Sequence, residues 1–405
     1  MRTFLAWMAI VAFSLVMAAC STPAAVPSQM PTATETITPS KSPTASPTVS
    51  STPTATATLT PVPTETLVVP TSPPATIPPA QSLEIISVSN LKQLQPLARF
   101  SDPDQSQTVI NIAFSPEGKT LAIAHNDAAL LWDLHSGKVL GSFSAEFNYL
   151  HDISFSTDGH LFVGVAGNEV WIWRVEPGEV LRHFNAGGQF QEEVFVAEFS
   201  PNGKILATSS FFADTAIRLW DVKTGKLISE NQASSGGEYA VAFSPAGDML
   251  VSAGRDGEVR QWNSTTGKLI RETQVCLGDS FNVGFSPDGN IVAIHCADNY
   301  DFDQTLRLYS SSSWELLRTV GDDQADKIGF SFSKDGRIIV LSVQMGEERS
   351  GPTRIEFWDV QSGKLLYVLN ANVPNLGSAK FSPDGRLLAI AEIDGTVQLF
   401  GVIKP

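Results

Sequence analysis

The stretch FSPDG at residues 285–289 has near-copies at six other places in this chain of 405 residues. Each copy is a phenylalanine followed by a Ser-x-x-Gly turn, with apolar and β-branched residues on both sides. A glycine at the end of such a short polar segment permits the backbone conformation that closes a tight hairpin. Each copy therefore predicts two antiparallel strands joined by a turn. The full set reads FSPEG (114–118), FSTDG (155–159), FSPNG (199–203), FSPAG (243–247), FSPDG (285–289), FSKDG (332–336) and FSPDG (381–385).

The copies lie 41, 44, 44, 42, 47 and 49 residues apart, and each repeat contains further strand signals. One is an apolar segment that ends in an aromatic residue; in several repeats a second follows a polar turn such as KTGK or QSGK. Four strands per repeat of about 40–45 residues are typical of a propeller blade. The sequence therefore predicts an all-β fold, a seven-bladed β-propeller of four-stranded antiparallel blades. The aromatic residues are Trp132, Trp173, Trp220, Trp262, Tyr309, Trp358 and Phe400.

Across residues 82–405 the chain resembles the WD-repeat family. Three dipeptides match the Trp-Asp pair that gives the family its name: Trp132-Asp133, Trp220-Asp221 and Trp358-Asp359. The chain departs from the pattern in lacking the family's Gly-His pair, and several repeats replace the aspartate. The replacing residues are Arg174, Asn263, Ser310 and Gly401. The resemblance implies a non-catalytic scaffold that binds proteins through its rim loops and its central opening.

The two ends of the repetitive region are predicted to meet. The last repeat reaches Phe400-Gly401, and the four residues that remain are too few for a fourth strand. The segment Leu91–Phe100, within residues 82–101, reads like the fourth strands of the other repeats. We predict that it completes the last blade, which would close the ring and remove an exposed strand edge.

Residues 1–19 have the pattern of a signal peptide: one early positive charge, an apolar stretch and small residues at the end. The segment Met17-Ala18-Ala19-Cys20 resembles the lipobox of bacterial lipoproteins. The resemblance implies lipid attachment at Cys20, which would anchor the protein to a membrane of the bacterial cell envelope, outside the cytoplasm. The alternative is an ordinary secretory signal that ends in a cysteine by chance.

Residues 20–81 comprise this cysteine and a tract rich in proline, threonine and serine. Residues 21–80 hold 14 of the 25 prolines, and their charged side chains are Glu35, Lys41 and Glu65. Proline removes backbone hydrogen-bond donors, and too little apolar surface is present to offset the entropy of ordering the chain. The tract is predicted to be a disordered tether.

Composition and motifs exclude several classes of function. The chain has 42 acidic and 27 basic residues and a net charge of −15, so nucleic acid is not expected as a partner. No catalytic motif occurs in a suitable context, so we predict no catalytic residues, no confident metal site and no cofactor. We expect a monomeric propeller with protein partners of unknown identity. Two alternatives remain: a propeller enzyme of hydrolase or lyase type, and a sensor of a carbohydrate or small ligand.

The candidate partner-binding rim lies on the face that carries the second-to-third strand loops and the loops between blades. These loops are longest in the fifth and sixth repeats and are acidic, whereas the turns on the opposite face are rich in lysine. Loop length is where binding function varies on a constant scaffold. The rim residues are Asp298, Tyr300, Asp301, Phe302, Asp303, Asp322, Asp323, Asp326, Glu347 and Glu348.

Two smaller features of the fifth repeat complete the sequence-based predictions. Asp298, Asp301 and Asp303 supply oxygen ligands of the kind that Ca²⁺ prefers, and the alternative is an acidic rim without an ion. Cys276 and Cys296 fall at the same edge of one blade, in a compartment where disulfides persist. They are predicted either to form a disulfide or to be two buried thiols.

Overall fold

The computed structural model describes residues 77–405 and Thr64–Thr66, apart from short gaps. The gaps are residues 102–108, 110, 127, 145–149, 188–192, 211–214, 234–236, 298–303, 322–324, 346–352, 372–375 and 393. The signal peptide, Cys20 and most of the tether lie outside the described residues. Among the described residues, no helix has the length and the apolar character needed to cross a bilayer.

Three short strands precede the repetitive region: β1 (Thr64–Thr66), β2 (Leu83–Glu84) and β3 (Gln95–Ser101). The first three blades then follow in chain order, each an antiparallel sheet of four strands. Blade 1 consists of β4 (Asn111–Phe114), β5 (Thr120–Ala124), β6 (Ala128–Asp133) and β7 (Lys138–Ser144). Blade 2 consists of β8 (Leu150–Phe155), β9 (Leu161–Ala166), β10 (Glu169–Arg174) and β11 (Val180–Asn185). Blade 3 consists of β12 (Val194–Phe199), β13 (Ile205–Ser210), β14 (Ala216–Asp221) and β15 (Lys226–Gln232).

The remaining blades repeat the arrangement. Blade 4 consists of β16 (Glu238–Phe243), β17 (Met249–Gly254), β18 (Glu258–Asn263) and β19 (Leu269–Gln274). Blade 5 consists of β20 (Ser280–Phe285), β21 (Ile291–Ala297), β22 (Gln304–Ser310) and β23 (Leu316–Val320). Blade 6 consists of β24 (Ala325–Phe332), β25 (Ile338–Met345), β26 (Thr353–Asp359) and β27 (Lys364–Ala371). Blade 7 contains β28 (Leu376–Phe381), β29 (Leu387–Glu392) and β30 (Thr396–Ile403), and the predicted seven-bladed β-propeller is confirmed.

The fourth strand of blade 7 comes from the other end of the repetitive region. β3 pairs with β30 in antiparallel register, from Gln95 opposite Gly401 to Ser101 opposite Thr396. The strand begins later than the expected Leu91, because Leu91–Gln93 form a 3-10 helix. The side chain of Asn90 holds this bend by accepting the backbone N–H of Ser87 at 2.8 Å. Leu91, only 2 % exposed, then packs into the core instead of extending the strand.

Segments upstream of residue 82 also contact the propeller. β1, inside the tract predicted to be disordered, pairs in parallel with the outer strand β27, with Glu65 opposite Leu369. Ile77 is buried in the same apolar cluster as Leu83 and Leu97. The outer edges of blades 6 and 7 are therefore covered by chain that precedes the first repeat.

The serine of each FSxxG turn accepts the backbone N–H five residues further on. In six of the seven turns it also bonds to a nearby Asp or Asn side chain. In the fifth repeat, Ser286 Oγ donates to Asp288 Oδ1 at 2.6 Å and accepts the N–H of Ile291 at 3.0 Å. Gly289 has a φ of 74°, a conformation that glycine adopts without steric cost. The hydrogen bond from Ser286 holds the pKa of Asp288 below its usual value.

The third-strand tryptophans and the aspartates that follow them have separate roles. Trp220 Nε1 donates to Thr208 Oγ1 at 2.9 Å, and Trp262 Nε1 donates to Ser252 Oγ at 3.0 Å, each tying the third strand to the second. Asp221 Oδ1 accepts both the N–H and the hydroxyl of Thr224, so the aspartate caps the turn into the fourth strand. Asn263 caps the equivalent turn of blade 4 in the same way, which explains why it replaces aspartate there.

Cys276 and Cys296, 20 positions apart in sequence, are joined by a disulfide, with their Cα atoms 5.4 Å apart. The bond links the connection between blades 4 and 5 to the end of β21. Both residues are buried in the apolar cluster between these blades. The disulfide therefore holds the end of β21 against the connection between blades 4 and 5.

Replacing both cysteines by alanine should lower the free energy of unfolding by about 3 kcal/mol, the value expected for a closed loop of this size. Urea denaturation of the oxidised protein and of the double variant, monitored by tryptophan fluorescence, measures the difference. Equal midpoints and slopes for the two proteins would contradict this expectation.

Candidate functional site

The first strands of the blades surround the central channel. Neighbouring first strands contact each other around the ring, as β4 does with β8, β8 with β12, and β28 with β4. The position one residue before the repeat phenylalanine carries Ala, Gly or Ser in five of the seven repeats, and the position three residues before it varies more. Among the larger polar residues at these positions, four lie on adjacent blades, and we call them the polar arc: Lys380 on blade 7, Asn111 on blade 1, Asp152 on blade 2 and Glu198 on blade 3. Asn282 of blade 5 lies apart from them.

Hydrogen bonds join three members of the polar arc. Lys380 Nζ donates to Asn111 Oδ1 at 3.0 Å, and Asn111 Nδ2 donates to Asp152 Oδ1 at 2.5 Å. Asp152 Oδ2 also accepts the backbone N–H of Ala197 at 3.2 Å. These bonds link the first strands of blades 7, 1, 2 and 3 on one side of the channel.

Glu198 extends the polar arc to blade 4. Its Oε1 accepts the backbone N–H of Phe243 at 3.3 Å. Ser331 makes the same kind of contact between blades 6 and 7: its Oγ accepts the backbone N–H of Phe381 at 3.2 Å. The side chain that precedes the repeat phenylalanine therefore bonds to the next blade at both places.

Burial inside the ring alters the acid–base properties of the polar arc. The four side chains are exposed only in part, and protein surrounds them on their other sides. Burial raises the pKa of Asp152 to about 6, although the charge of Lys380 opposes this change. Burial, together with the charge of Asp152, raises the pKa of Glu198 to about 8. Burial also lowers the pKa of Lys380, against the effect of both carboxyl groups.

The raised pKa of Glu198 predicts a stability that depends on pH. Between the ordinary carboxyl pKa of about 4.5 and about 8, the folded protein keeps a proton on Glu198 that the unfolded chain has released. The contribution of Glu198 to the free energy of unfolding is therefore fully present at low pH. It falls as the pH rises, by at most about 1.4 kcal/mol per pH unit. Asp152 acts in the same direction over a lower range that ends at about 6.

Glu198→Gln should remove the contribution of Glu198, because the amide does not ionise and its oxygen still accepts the N–H of Phe243. We expect the variant to gain stability relative to the native protein as the pH rises from 6 to 8, within the range set by the pKa of about 8. Thermal unfolding at a series of pH values measures this gain, with Glu117→Gln on an exposed turn as the matched control. Parallel pH profiles for the native protein and Glu198→Gln would contradict the assignment.

Sequence reasoning missed the polar arc as a group. β8 begins at Leu150, so Asp152 lies within this innermost strand and not in the loop before it. The strand can accommodate a carboxylate because Asn111 and the backbone of Ala197 hydrogen-bond to it. An alignment of the seven repeats on their phenylalanines would have found part of the signal, because Lys380 and Glu198 occur where the other five repeats carry Ala, Gly or Ser.

The predicted partner-binding rim lies almost wholly outside the described residues. Those positions are Asp298, Tyr300, Asp301, Phe302, Asp303, Asp322, Asp323, Glu347 and Glu348. Asp326 is the exception, and it lies in β24 opposite Gln344 rather than in the loop before that strand. The reason is that β24 and β25 pair from Ala325 and Met345 onward, which extends the strand to include Asp326.

The strand ends that flank the predicted rim lie on one face of two neighbouring blades. Ala297 and Gln304 pair at the end of blade 5, and Gln344 and Thr353 pair near the end of blade 6. The connection from β23 to β24 joins the blades on the same face, because it leads from a fourth strand to a first strand. We call this the loop face, and the face with the FSxxG turns the turn face.

The described residues contain no group of three or more His, Cys, Asp or Glu side chains placed to hold a metal ion. The candidate calcium ligands Asp298, Asp301 and Asp303 lie outside that part of the chain.

The geometry defines a seven-bladed propeller with WD-type repeats. Residues 180–221, 225–263 and 363–400 match the family model described as the WD domain, G-beta repeat. The first match begins at the fourth strand of blade 2 and ends with the third strand of blade 3. Each sequence repeat thus combines the fourth strand of one blade with the first three strands of the next. By the same offset, β3 lies before the first strand of blade 1 in sequence and serves as the fourth strand of blade 7. WD-repeat propellers are generally non-catalytic and typical of protein-interaction scaffolds.

Curated relatives support the repeat over part of the chain. An uncharacterized WD repeat-containing protein of Synechocystis is 30% identical over 183 residues, which is 45% of this chain and 48% of the relative. Eukaryotic translation initiation factor 3 subunit I of Aspergillus niger is 41% identical over 80 residues, or 20% and 22% of the two chains. Autophagy-related protein 16 of Arabidopsis thaliana is 25% identical over 186 residues, or 36% of each chain. The chain spans about half or less of the length of these relatives.

Proposed function

We propose that this protein is a lipid-anchored scaffold of the bacterial cell envelope that binds a protein partner outside the cytoplasm. The propeller is the binding module, a lipid on Cys20 is the anchor, and the tract between them is the tether. The binding surface is the loop face of blades 5 and 6.

One observation carries the assignment of the binding surface. Three strand connections that hold the candidate rim residues leave from the same face of two adjacent blades. The disulfide between Cys276 and Cys296 holds the end of β21, where the first of these connections begins. The rim residues are acidic, with Tyr300 and Phe302 among them. Acidic side chains around aromatic residues suit a partner surface that is basic and partly apolar.

The opposite charge of the turn face supports the proposed orientation. Lys226, Lys268 and Lys364 are exposed on this face at or next to the starts of fourth strands. Basic residues near an anionic membrane surface gain about 1 kcal/mol each, and this gain decays within a Debye length of about 8–10 Å. The turn face therefore favours weak, salt-sensitive contact with the membrane, which leaves the acidic loop face directed outward.

Cys20→Ser is expected to release the protein from the membrane fraction, because the anchor is the lipid on this thiol. Cell fractionation followed by an alkaline wash of the membranes measures the release. A variant that stays membrane-bound after the wash would contradict lipid anchoring, since an uncleaved apolar leader would then hold the protein.

The scaffold function is tested by chemical crosslinking in intact cells, followed by capture of the full-length protein with and without a chelator. A specific protein partner that crosslinks to residues of the loop face supports the proposal. Loss of that crosslink in the chelator, restored by added Ca²⁺ in the native protein but not in a variant with Asp298, Asp301 and Asp303 replaced by Asn, would support calcium at these residues. Crosslinks confined to the turn face would contradict the proposed surface.

A further inference from the structure

Two charged side chains of the polar arc retain hydrogen-bonding capacity that the described part of the protein does not use. Lys380 Nζ has three N–H donors, and one of them bonds to Asn111 Oδ1 at 3.0 Å. Glu198 Oε1 accepts the N–H of Phe243 at 3.3 Å, and among the described residues nothing donates to Oε2. Asn111 and Asp152, by contrast, are engaged by each other and by the backbone.

These two side chains lie at the same level of the channel, because each comes one residue before its repeat phenylalanine. Blades 7 and 3 are three blade positions apart around the ring of seven, so Lys380 and Glu198 face each other from nearly opposite sides. Their charges act on each other and on Asp152. The channel thus presents one ammonium group and one carboxyl group across a shared space.

No long side chain occupies the equivalent positions of the other five blades. Those positions are Ala113, Ser154, Ala242, Gly284 and Ser331. A Cβ added at Gly284 would lie 3.2 Å from the ring of Phe330, so a larger side chain there would require the ring to shift. At this level of the channel, no long side chain of the other blades is therefore placed between Lys380 and Glu198.

We propose that the channel binds a small zwitterion of the amino-acid class, with its carboxylate on Lys380 and its ammonium group on Glu198. Such a ligand matches both groups that the protein leaves open. Burial disfavours the ionised form of Glu198, and the ammonium group of the ligand would favour it. A ligand without an ammonium group would leave this carboxyl group without a partner inside a narrow opening. This site is separate from the loop face and does not depend on the scaffold function.

Isothermal titration calorimetry on the full-length protein tests the proposal with glycine, β-alanine and γ-aminobutyrate, which differ in the spacing of their charges. Butyrate and butylamine serve as ligands with a single charge. We expect at least one zwitterion to bind at least about tenfold more tightly than both of them. Glu198→Gln should remove this preference, and Glu117→Gln on the turn face should keep it.

The native protein provides the outcomes that would overturn the proposal. It fails if no zwitterion gives a binding signal up to about 10 mM, or if butyrate or butylamine binds as tightly as the best zwitterion. It also fails if Glu198→Gln, with an unchanged circular dichroism spectrum, binds that zwitterion as tightly as the native protein. Lys380→Met gives a second check. It should weaken the binding of the zwitterion and the binding of butyrate alike, because both ligands place a carboxylate on Lys380.

Discussion

Deletion of residues 82–101 is expected to abolish cooperative folding of the propeller. The deletion removes β2 and β3, so β30 loses its outer partners and blade 7 loses its fourth strand. It also removes six large buried apolar side chains from the clusters around blade 7: Leu83, Ile86, Leu91, Leu94, Leu97 and Phe100. Each contributes about 1.5–3 kcal/mol on burial, so their sum is on the order of 10 kcal/mol, comparable to the whole stability of a typical domain.

The measurement is thermal unfolding by circular dichroism, together with size-exclusion chromatography to detect aggregation at the opened edge. A matched control deletes residues 21–40, a segment of similar length from the tract upstream of β1. The control should keep the melting temperature of the full chain. A cooperative transition at that same temperature after deletion of residues 82–101 would contradict closure of the ring by β3.

Much of the fold could be predicted because its signals are local and repeated. The Ser–Asp bonds seen at Ser286 and Asp288 form within one turn, so each FSxxG string carries its own hairpin. The closing strand could be placed because the last repeat lacks a fourth strand. Its start could not, since the bend at Asn90 depends on contacts with the side chain of Glu84 and the carbonyl of Ile85.

The polar arc could not be predicted in the same way, because it exists only when distant blades meet. Lys380 and Asn111 are 269 residues apart in sequence, and only the closed ring brings them within hydrogen-bonding distance. For Cys276 and Cys296 the sequence left a bonded and an unbonded state open, and the structure shows the bonded one. The acidic rim remains a prediction, because it rests on loop length and charge, and its residues are almost all outside the described part of the chain.

Charge reversal on the two faces tests the proposed scaffold most directly. The loop-face variant combines Asp298→Lys, Asp301→Lys, Asp322→Lys and Asp323→Lys, and the turn-face variant combines Lys226→Glu, Lys268→Glu and Lys364→Glu. Reversing charges at an interface replaces attraction by repulsion, so the loop-face variant should lose about tenfold or more of the crosslinked partner. The turn-face variant should keep the partner and lose salt-sensitive association with anionic liposomes.

The measurement is the yield of the crosslinked partner from cells that express the native protein or either variant at equal levels. The account predicts a native yield for the turn-face variant and a loss of about tenfold or more for the loop-face variant. A turn-face variant that loses the partner while the loop-face variant keeps it would contradict the account.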